Sequence, residues 1–251
     1  MKQHIPNFIT LLNLLSGCIA VVLAVNNQFV MAAIFVFLGI FFDFFDGFFA
    51  RKLNVQGPLG VQLDSLADMV TSGLVPGIVM FKLLHIASGA LALEDAETLW
   101  SSSGFFDALP YAPLAYLGFF ITLSSAYRLA KFNIDDDQQS YFKGLPTPAN
   151  ALLILSLPLI IELQNHDGMN ALILNPWFLL GMTLVSTFML NAPIKLFALK
   201  FKTYDFQSNI SRYVFLIATV VLLIVLQFAA IPLVILLYVL MSLFTAKSIH
   251  A

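Results

Sequence analysis

The sequence predicts an all-α polytopic membrane protein, and three observations carry that expectation. Hydrophobic residues fill 60% of the 251 positions and charged residues only 10%, against roughly 25% charged in soluble domains. Mean hydropathy is +0.91, more apolar surface than one water-exposed globule of this length can hide. The apolar residues also come in successive runs of membrane-spanning length, about 17–25 residues, without the alternation of barrel strands. A soluble enzyme, a disordered tail and a secreted disulfide scaffold are thereby excluded. Cys18 is the single cysteine and has no partner within the chain. The net charge of −2 offers no basic field to nucleic acid.

Eight spans are expected, at 8–25, 29–50, 64–88, 109–130, 147–163, 175–191, 210–228 and 231–246. The last two are separated by little more than Ala229, Ala230 and Pro232, which suits a tight hairpin, since one continuous helix would overshoot the bilayer. Charge placement orients the set. With the N-terminus in the cytoplasm, the inside segments hold Lys2, Arg51, Lys52, Arg128, Lys131, Lys143, Lys195, Lys200, Lys202, Arg212 and Lys247. Lys82 alone of the 12 basic residues falls elsewhere, and the outer loop 89–108 carries acids only. That is a positive-inside pattern. Leu15-Ser16-Gly17-Cys18 imitates a lipoprotein cleavage site, but cleavage there would invert the charge map, so the first span is read as mature structure.

Charge is concentrated at one place in the spans, where the second and third meet the cytoplasmic face. Asp43, Asp46, Asp64 and Asp68 sit there among phenylalanines and leucines. Each charge deep in a membrane helix costs about 2.5–3.5 kcal/mol on insertion scales. Arg51 alone cannot neutralise four. Asp43 and Asp46 are i, i+3 and Asp64 and Asp68 are i, i+4, so each pair shares a helix face, about 4.5–6 Å apart along the axis. Two such pairs on antiparallel neighbours converge on one small volume. Hard oxygen ligands select Mg²⁺, Mn²⁺ or Ca²⁺, and four carboxylates suit two ions about 3.5–4 Å apart, as in phosphoryl transfer. Gly47 clears a side chain from the approach to the helix, and Arg51, one turn on, can fork onto a phosphate. Structural ion pairs or a proton relay would need fewer acids and no glycine or arginine at fixed helical steps.

These residues, Asp43-x2-Asp46-Gly47-x2-Ala50-Arg51-x8-Gly60-x3-Asp64-x3-Asp68, resemble the signature of the CDP-alcohol phosphotransferases at every fixed position. The resemblance implies a membrane-embedded six-helix core at 1–191, usually homodimeric, open to the cytoplasm. A basic loop and C-terminal two-helix hairpin would follow at 192–251. It implies two divalent ions, Mg²⁺ or Mn²⁺, and transfer of a phosphoryl-alcohol unit from a CDP-linked donor to a second alcohol, releasing CMP.

Further segments resemble the serine-using bacterial branch, the phosphatidylserine synthases. They are Ile5-Pro6-Asn7-Phe8-Ile9-Thr10 with Asn13-Leu14 and Gly17, then Gln62-Leu63-Asp64-Ser65-Leu66-Ala67-Asp68, Tyr127-Arg128-Leu129-Ala130-Lys131-Phe132-Asn133 and Phe142-Lys143-Gly144-Leu145-Pro146-Thr147-Pro148-Ala149. Lys131 stands where that branch has arginine, and Thr71-Ser72-Gly73 replaces Ser-Phe-Gly, a change expected to touch helix packing more than chemistry. The implied reaction is CDP-diacylglycerol plus L-serine giving phosphatidylserine and CMP, in the bacterial inner membrane. By resemblance, Asp43, Asp46 and Asp64 are metal ligands, and Asp68 is a ligand and the general base toward the serine hydroxyl. Gly47, Ala50, Arg51, Gly60 and Asn7 line the CDP site, although a helix start also explains Asn7. Serine brings a carboxylate, for which Arg128, Lys131, Lys143 and Arg212 are the candidate cations; phosphate binding suits each as well. The competing expectations are glycerol 3-phosphate or inositol as acceptor, and an ion-coupled transporter. A transporter would repeat its acids in matched halves, and no second copy of the motif exists. Asp135-Asp136-Asp137 is read as a solvated loop, Gly73-x3-Gly77 as a close helix approach in the core or at a dimer seam, and residues 195–206 as a basic aromatic loop on anionic lipid.

Overall fold

The structure, a computed structural model, describes residues 4–89, 112–134, 142–196 and 210–249. These form ten α-helices, two of them continued by π-helical turns, and one two-residue strand pair. Asp135-Asp136-Asp137, the acidic loop and most of 195–206 lie outside the described residues.

Helix α1 (His4–Val25) returns as α2 (Phe29–Lys52) through Asn26, Asn27 and Gln28, with Asn27 in the left-handed region at φ 59°. The two pack along each other more extensively than any other pair. Gly17, Ala20 and Ala24 of α1 and Ala32, Ala33 and Gly39 of α2 are buried, so the backbones approach closely. The next span, Pro58–Ala87, is helical throughout but changes pitch. Helix α3 (Pro58–Asp68) opens with proline at its first turn, and Met69–Leu74 is π-helical before α4 (Val75–Ala87). Pro76 lacks an N–H and cannot tolerate a regular turn before it; the Val75 N–H bonds Val70 O instead.

A 3-10 stretch, Pro113–Phe119, leads into α5 (Phe120–Ile134). Here Gly73 of the π-helical segment and Gly77 of α4 settle the Gly73-x3-Gly77 question. A Cβ on Gly77 would collide with the Thr122 hydroxyl, one on Gly73 would lie 3.1 Å from Ser125 Cβ, and one on Gly118 would come within 2.6 Å of the Phe81 nitrogen. The seam is intramolecular, between residues 69–87 of the third span and the 113–134 stretch. Helix α6 (Thr147–Leu159) runs into a π segment, Ile160–Gln164. The short α7 (Asp167–Ile173) meets α8 (Pro176–Asn191) at a 63° bend. Pro176 and Asn175 start α8, the Asn175 side-chain Oδ1 accepting from the Trp177 and Phe178 N–H groups.

Helices α9 (Ile210–Leu226) and α10 (Ala230–Ile249) form the expected hairpin. The rings of Phe215 and Tyr238 lie 5.7 Å apart, whereas a straight helix would part them by about 34 Å. Gln227 breaks the helix at φ 49°. Gln164 satisfies the backbone this exposes: its Nε2 donates to Leu226 O at 2.9 Å, and the Ala229 N–H donates to its Oε1 at 3.1 Å. Gln164→Leu would strand both groups in apolar surroundings, at about 1–3 kcal/mol. Thermal unfolding in detergent should show a lower midpoint for this variant; an unchanged midpoint would mean the turn holds itself.

The expectation of eight spans meets eight helical stretches in the expected places. Five are long and apolar enough to cross a membrane, or six if the bent α7–α8 pair counts as one. One of the five, Arg212–Leu243, is the folded hairpin. The stretch 113–134 is not among them; it joins a seven-residue 3-10 segment to a 15-residue α-helix that carries Arg128 and Lys131. The protein is an integral membrane protein. One strand pair was not expected: β1 (Phe142–Lys143) runs antiparallel to β2 (Lys195–Leu196). There the chain turns inward at Gly144 (φ 73°), whose N–H bonds Ile194 O.

Candidate functional site

Helix α3 packs on α1 and α5 but makes little contact with α2. The gap between the end of α2 and the start of α3 is a pocket of about 220 Å³. From α1 it is lined by Pro6, Asn7 and Thr10, from α2 by Asp46, Gly47, Ala50 and Arg51, and from α3 by Gly60 and Asp64. Every residue expected at the CDP site therefore faces one cavity. Glycine and alanine keep it open: a Cβ on Gly47 would lie 3.3 Å from Arg51 Nη1, and one on Gly60 would lie 3.6 Å from Asn7 Oδ1.

At the inner end of this pocket stand the carboxylates. Asp43, Asp64 and Asp68, all partly buried, bring one oxygen each within 4.8 Å of one another. Asp46, expected to join them, lies one turn along α2 and faces the pocket instead. It is 6% exposed, with its Oδ2 2.5 Å from the Thr10 hydroxyl. Asp64 belongs to both groups. Three like charges this close repel strongly unless a cation lies among them. The donors are all hard carboxylate oxygens, which fit divalent magnesium or manganese.

Four side chains hold this geometry, and the sequence reading assigned them no role. Thr10 and Asn13 lie one turn apart on the buried stripe of α1 and reach two acids on two different helices. Asn13 Nδ2 donates to Asp68 Oδ1 at 3.3 Å. Ser65 and Asn133 bond each other at 2.9 Å, tying α3 to α5 beside Asp64. The run of polar residues at three-residue steps, Asn7, Thr10, Asn13 and Ser16, on a mostly apolar helix was the available signal for the α1 pair.

The four candidate cations lie outside the pocket lining. Arg128 is buried, and its Nη1 donates to Lys143 O at 2.6 Å and Leu190 O at 2.7 Å. It joins the 142–146 turn to the C-terminal end of α8, where a cation also complements the helix dipole. Lys131 is exposed on α5, Lys143 is half-buried in β1, and Arg212 is half-buried in the first turn of α9.

Comparison with known proteins gives the family. Residues 3–247 match the sequence model of the CDP-alcohol phosphatidyltransferase family. The CDP-diacylglycerol–serine O-phosphatidyltransferase of Bacillus subtilis is 32% identical over 155 residues, 62% of this chain and 75% of that one. The protein of the same name from Saccharomyces cerevisiae is 32% identical over 170 residues, 61% of this chain but only 53% of its own length. That from Methanocaldococcus jannaschii is 29% identical over 182 residues, 72% and 71% of the two chains.

Proposed function

The chain belongs to the CDP-alcohol phosphatidyltransferase family, and we propose that it moves the phosphatidyl group of CDP-diacylglycerol to the hydroxyl of L-serine, giving phosphatidylserine and CMP. One observation carries the reaction class: a three-carboxylate cluster opens onto a pocket lined by Gly47, Ala50, Arg51 and Gly60. The relatives' names support serine as acceptor.

Asp43, Asp46, Asp64 and Asp68 would hold two divalent ions, Mg²⁺ or Mn²⁺, which when bound supply positive charge against the charge developing on the transferred phosphoryl group. The chain's own residues do the rest. Arg51 forks onto the donor pyrophosphate. Gly47, Ala50 and Gly60 let the nucleotide lie against the helices, and Asn7 offers its amide from α1. Asp68 accepts the proton of the serine hydroxyl as the new oxygen–phosphorus bond forms and the bond to CMP breaks. For the serine carboxylate we retain Lys131, Lys143 and Arg212, and assign Arg128 to its two carbonyls. The charge map supports a cytoplasmic N-terminus and site in a bacterial inner membrane. We further propose a homodimer, with a catalytic core at 1–191 and the 192–251 segment as a basic loop and docked hairpin.

The test is CMP release by purified protein given CDP-diacylglycerol and Mg²⁺ or Mn²⁺, with L-serine, glycerol 3-phosphate or inositol in separate reactions. Release with serine alone is expected. Release with another alcohol alone would keep the reaction class and overturn the acceptor. No release with any of them, from well-folded protein, would return the transporter reading.

A further inference from the structure

We propose that Thr71 is a positioning residue for Asp68, acting through the side-chain amide of Asn13; this deepens the phosphatidyl-transfer reading and rests on it. Thr71 lies on the π-helical segment, three residues beyond Asp68, and is fully buried. Its hydroxyl is 2.8 Å from Asn13 Oδ1 and 3.2 Å from Asn13 O. Asn13 is fully buried too, and its Nδ2 is the group that reaches Asp68.

The direction of this chain follows from the chemistry of its ends. A carboxylate only accepts, so Asn13 must turn its NH₂ toward Asp68 and its oxygen away. The oxygen then needs a donor, and the Thr71 hydroxyl supplies the hydrogen. A reversed amide would set its oxygen against the carboxylate and its NH₂ against the hydroxyl. Asp68 thus sets which way the Asn13 amide faces, Thr71 anchors the amide oxygen so that it stays there, and Asn13 fixes the rotation of the Asp68 carboxyl relative to Asp43 and Asp64.

Two glycines lock the arrangement. A Cβ on Gly17 would collide with the Thr71 hydroxyl. One on Gly39 would lie 2.6 Å from Thr71 Cγ2 and 2.8 Å from Asn13 Oδ1. Thr71 therefore fills a slot between α1 and α2 from which, among the described residues, its hydroxyl reaches only Asn13 as acceptor, the side-chain oxygen at the shorter distance. The regular α-helical hydrogen-bonding pattern ends at Asp68 and the π turns begin at Met69, a device often found at functional sites.

The experiment compares Thr71→Val, Thr71→Ser and Asn13→Ala with wild type. It reads kcat and KM for CDP-diacylglycerol by CMP release, and Mn²⁺ binding to the metal-free protein by electron paramagnetic resonance. Thr71→Val keeps the volume and loses the hydroxyl. It is expected to lower kcat about tenfold, with KM within about twofold, and to weaken Mn²⁺ binding several-fold. Thr71→Ser restores both to within about threefold. The double variant Thr71→Val/Asn13→Ala is no worse than the worse single change, because both act through one chain. Thr71→Val at wild-type kcat and Mn²⁺ affinity, Thr71→Ser as damaged as Thr71→Val, or fully additive losses would each overturn the proposal. Should Thr71→Val fail to give monodisperse protein, Asn13→Ala carries the same expectations. Inactivity of the wild type with serine would instead defeat the acceptor assignment. The positioning role is then judged on Mn²⁺ binding alone.

Discussion

Asp43→Asn is expected to cut CMP release by at least about 10²–10³-fold, the scale on which removal of a group that stabilises transition-state charge is felt. The same substitution should not destabilise the metal-free protein. Asp43 shares a volume with Asp64 and Asp68, their oxygens within 4.8 Å of one another. When both are ionised, two like charges at that separation repel by roughly 3 kcal/mol at an effective dielectric constant of about 20. Neutralising one relieves this. Thermal unfolding in detergent with a chelator should therefore give Asp43→Asn a midpoint equal to or above that of wild type. Adding Mn²⁺ should raise the wild-type midpoint and leave the variant nearly unmoved, because a ligand that binds only the folded state stabilises it. A variant that unfolds earlier than wild type in chelator would mean that Asp43 itself is held by an internal partner rather than awaiting a cation.

Gly144→Ala is the change with the largest expected effect on folding. Gly144 sits at φ 73°, where a side chain costs about 1–2 kcal/mol. The added Cβ would also lie 2.6 Å from Leu190 O and 3.0 Å from Met189 O. Neither carbonyl can step aside: Leu190 O accepts from Arg128 Nη1, and Met189 O accepts from the Leu145 N–H. Overpacking of this kind adds about 1–3 kcal/mol. The expected result is a loss of about 2–5 kcal/mol, seen as a sharp drop in monodisperse yield and thermal midpoint. Wild-type stability would contradict the assignment of the 142–146 turn.

That turn also shows where sequence reasoning stopped. Gly144-Leu145-Pro146-Thr147-Pro148 was recognisable as a motif, but its partners lie near residue 190, and no spacing in the chain announces a pairing across nearly 50 positions. The surroundings of Arg128 were hidden for the same cause. A basic residue near a span end is expected to face an anion, and only the folded chain reveals the two carbonyls beneath it. The aspartates were legible because i, i+3 and i, i+4 spacing fixes a helix face without tertiary knowledge. Their division was not: whether Asp46 joins Asp43 or turns into the pocket depends on where α1 crosses α2 and offers Thr10. The spans were legible from hydropathy, and the hairpin of α9 and α10 from length alone. The π turns depended on how Pro76 is accommodated, which composition does not disclose. Thr71 was noted as a packing change. It does pack between Gly17 and Gly39, but its hydroxyl also meets Asn13, a contact between positions 58 apart.

The most direct test of the central claim is the transfer of labelled L-serine into lipid by the purified full-length protein. The account predicts that label enters a phospholipid only when CDP-diacylglycerol and Mg²⁺ or Mn²⁺ are both present, with one CMP released per serine incorporated, and that Asp68→Asn abolishes it. Label entering lipid at the wild-type rate in Asp68→Asn, or in the presence of excess chelator, would contradict the account. So would well-folded wild-type protein that leaves serine unincorporated under every condition.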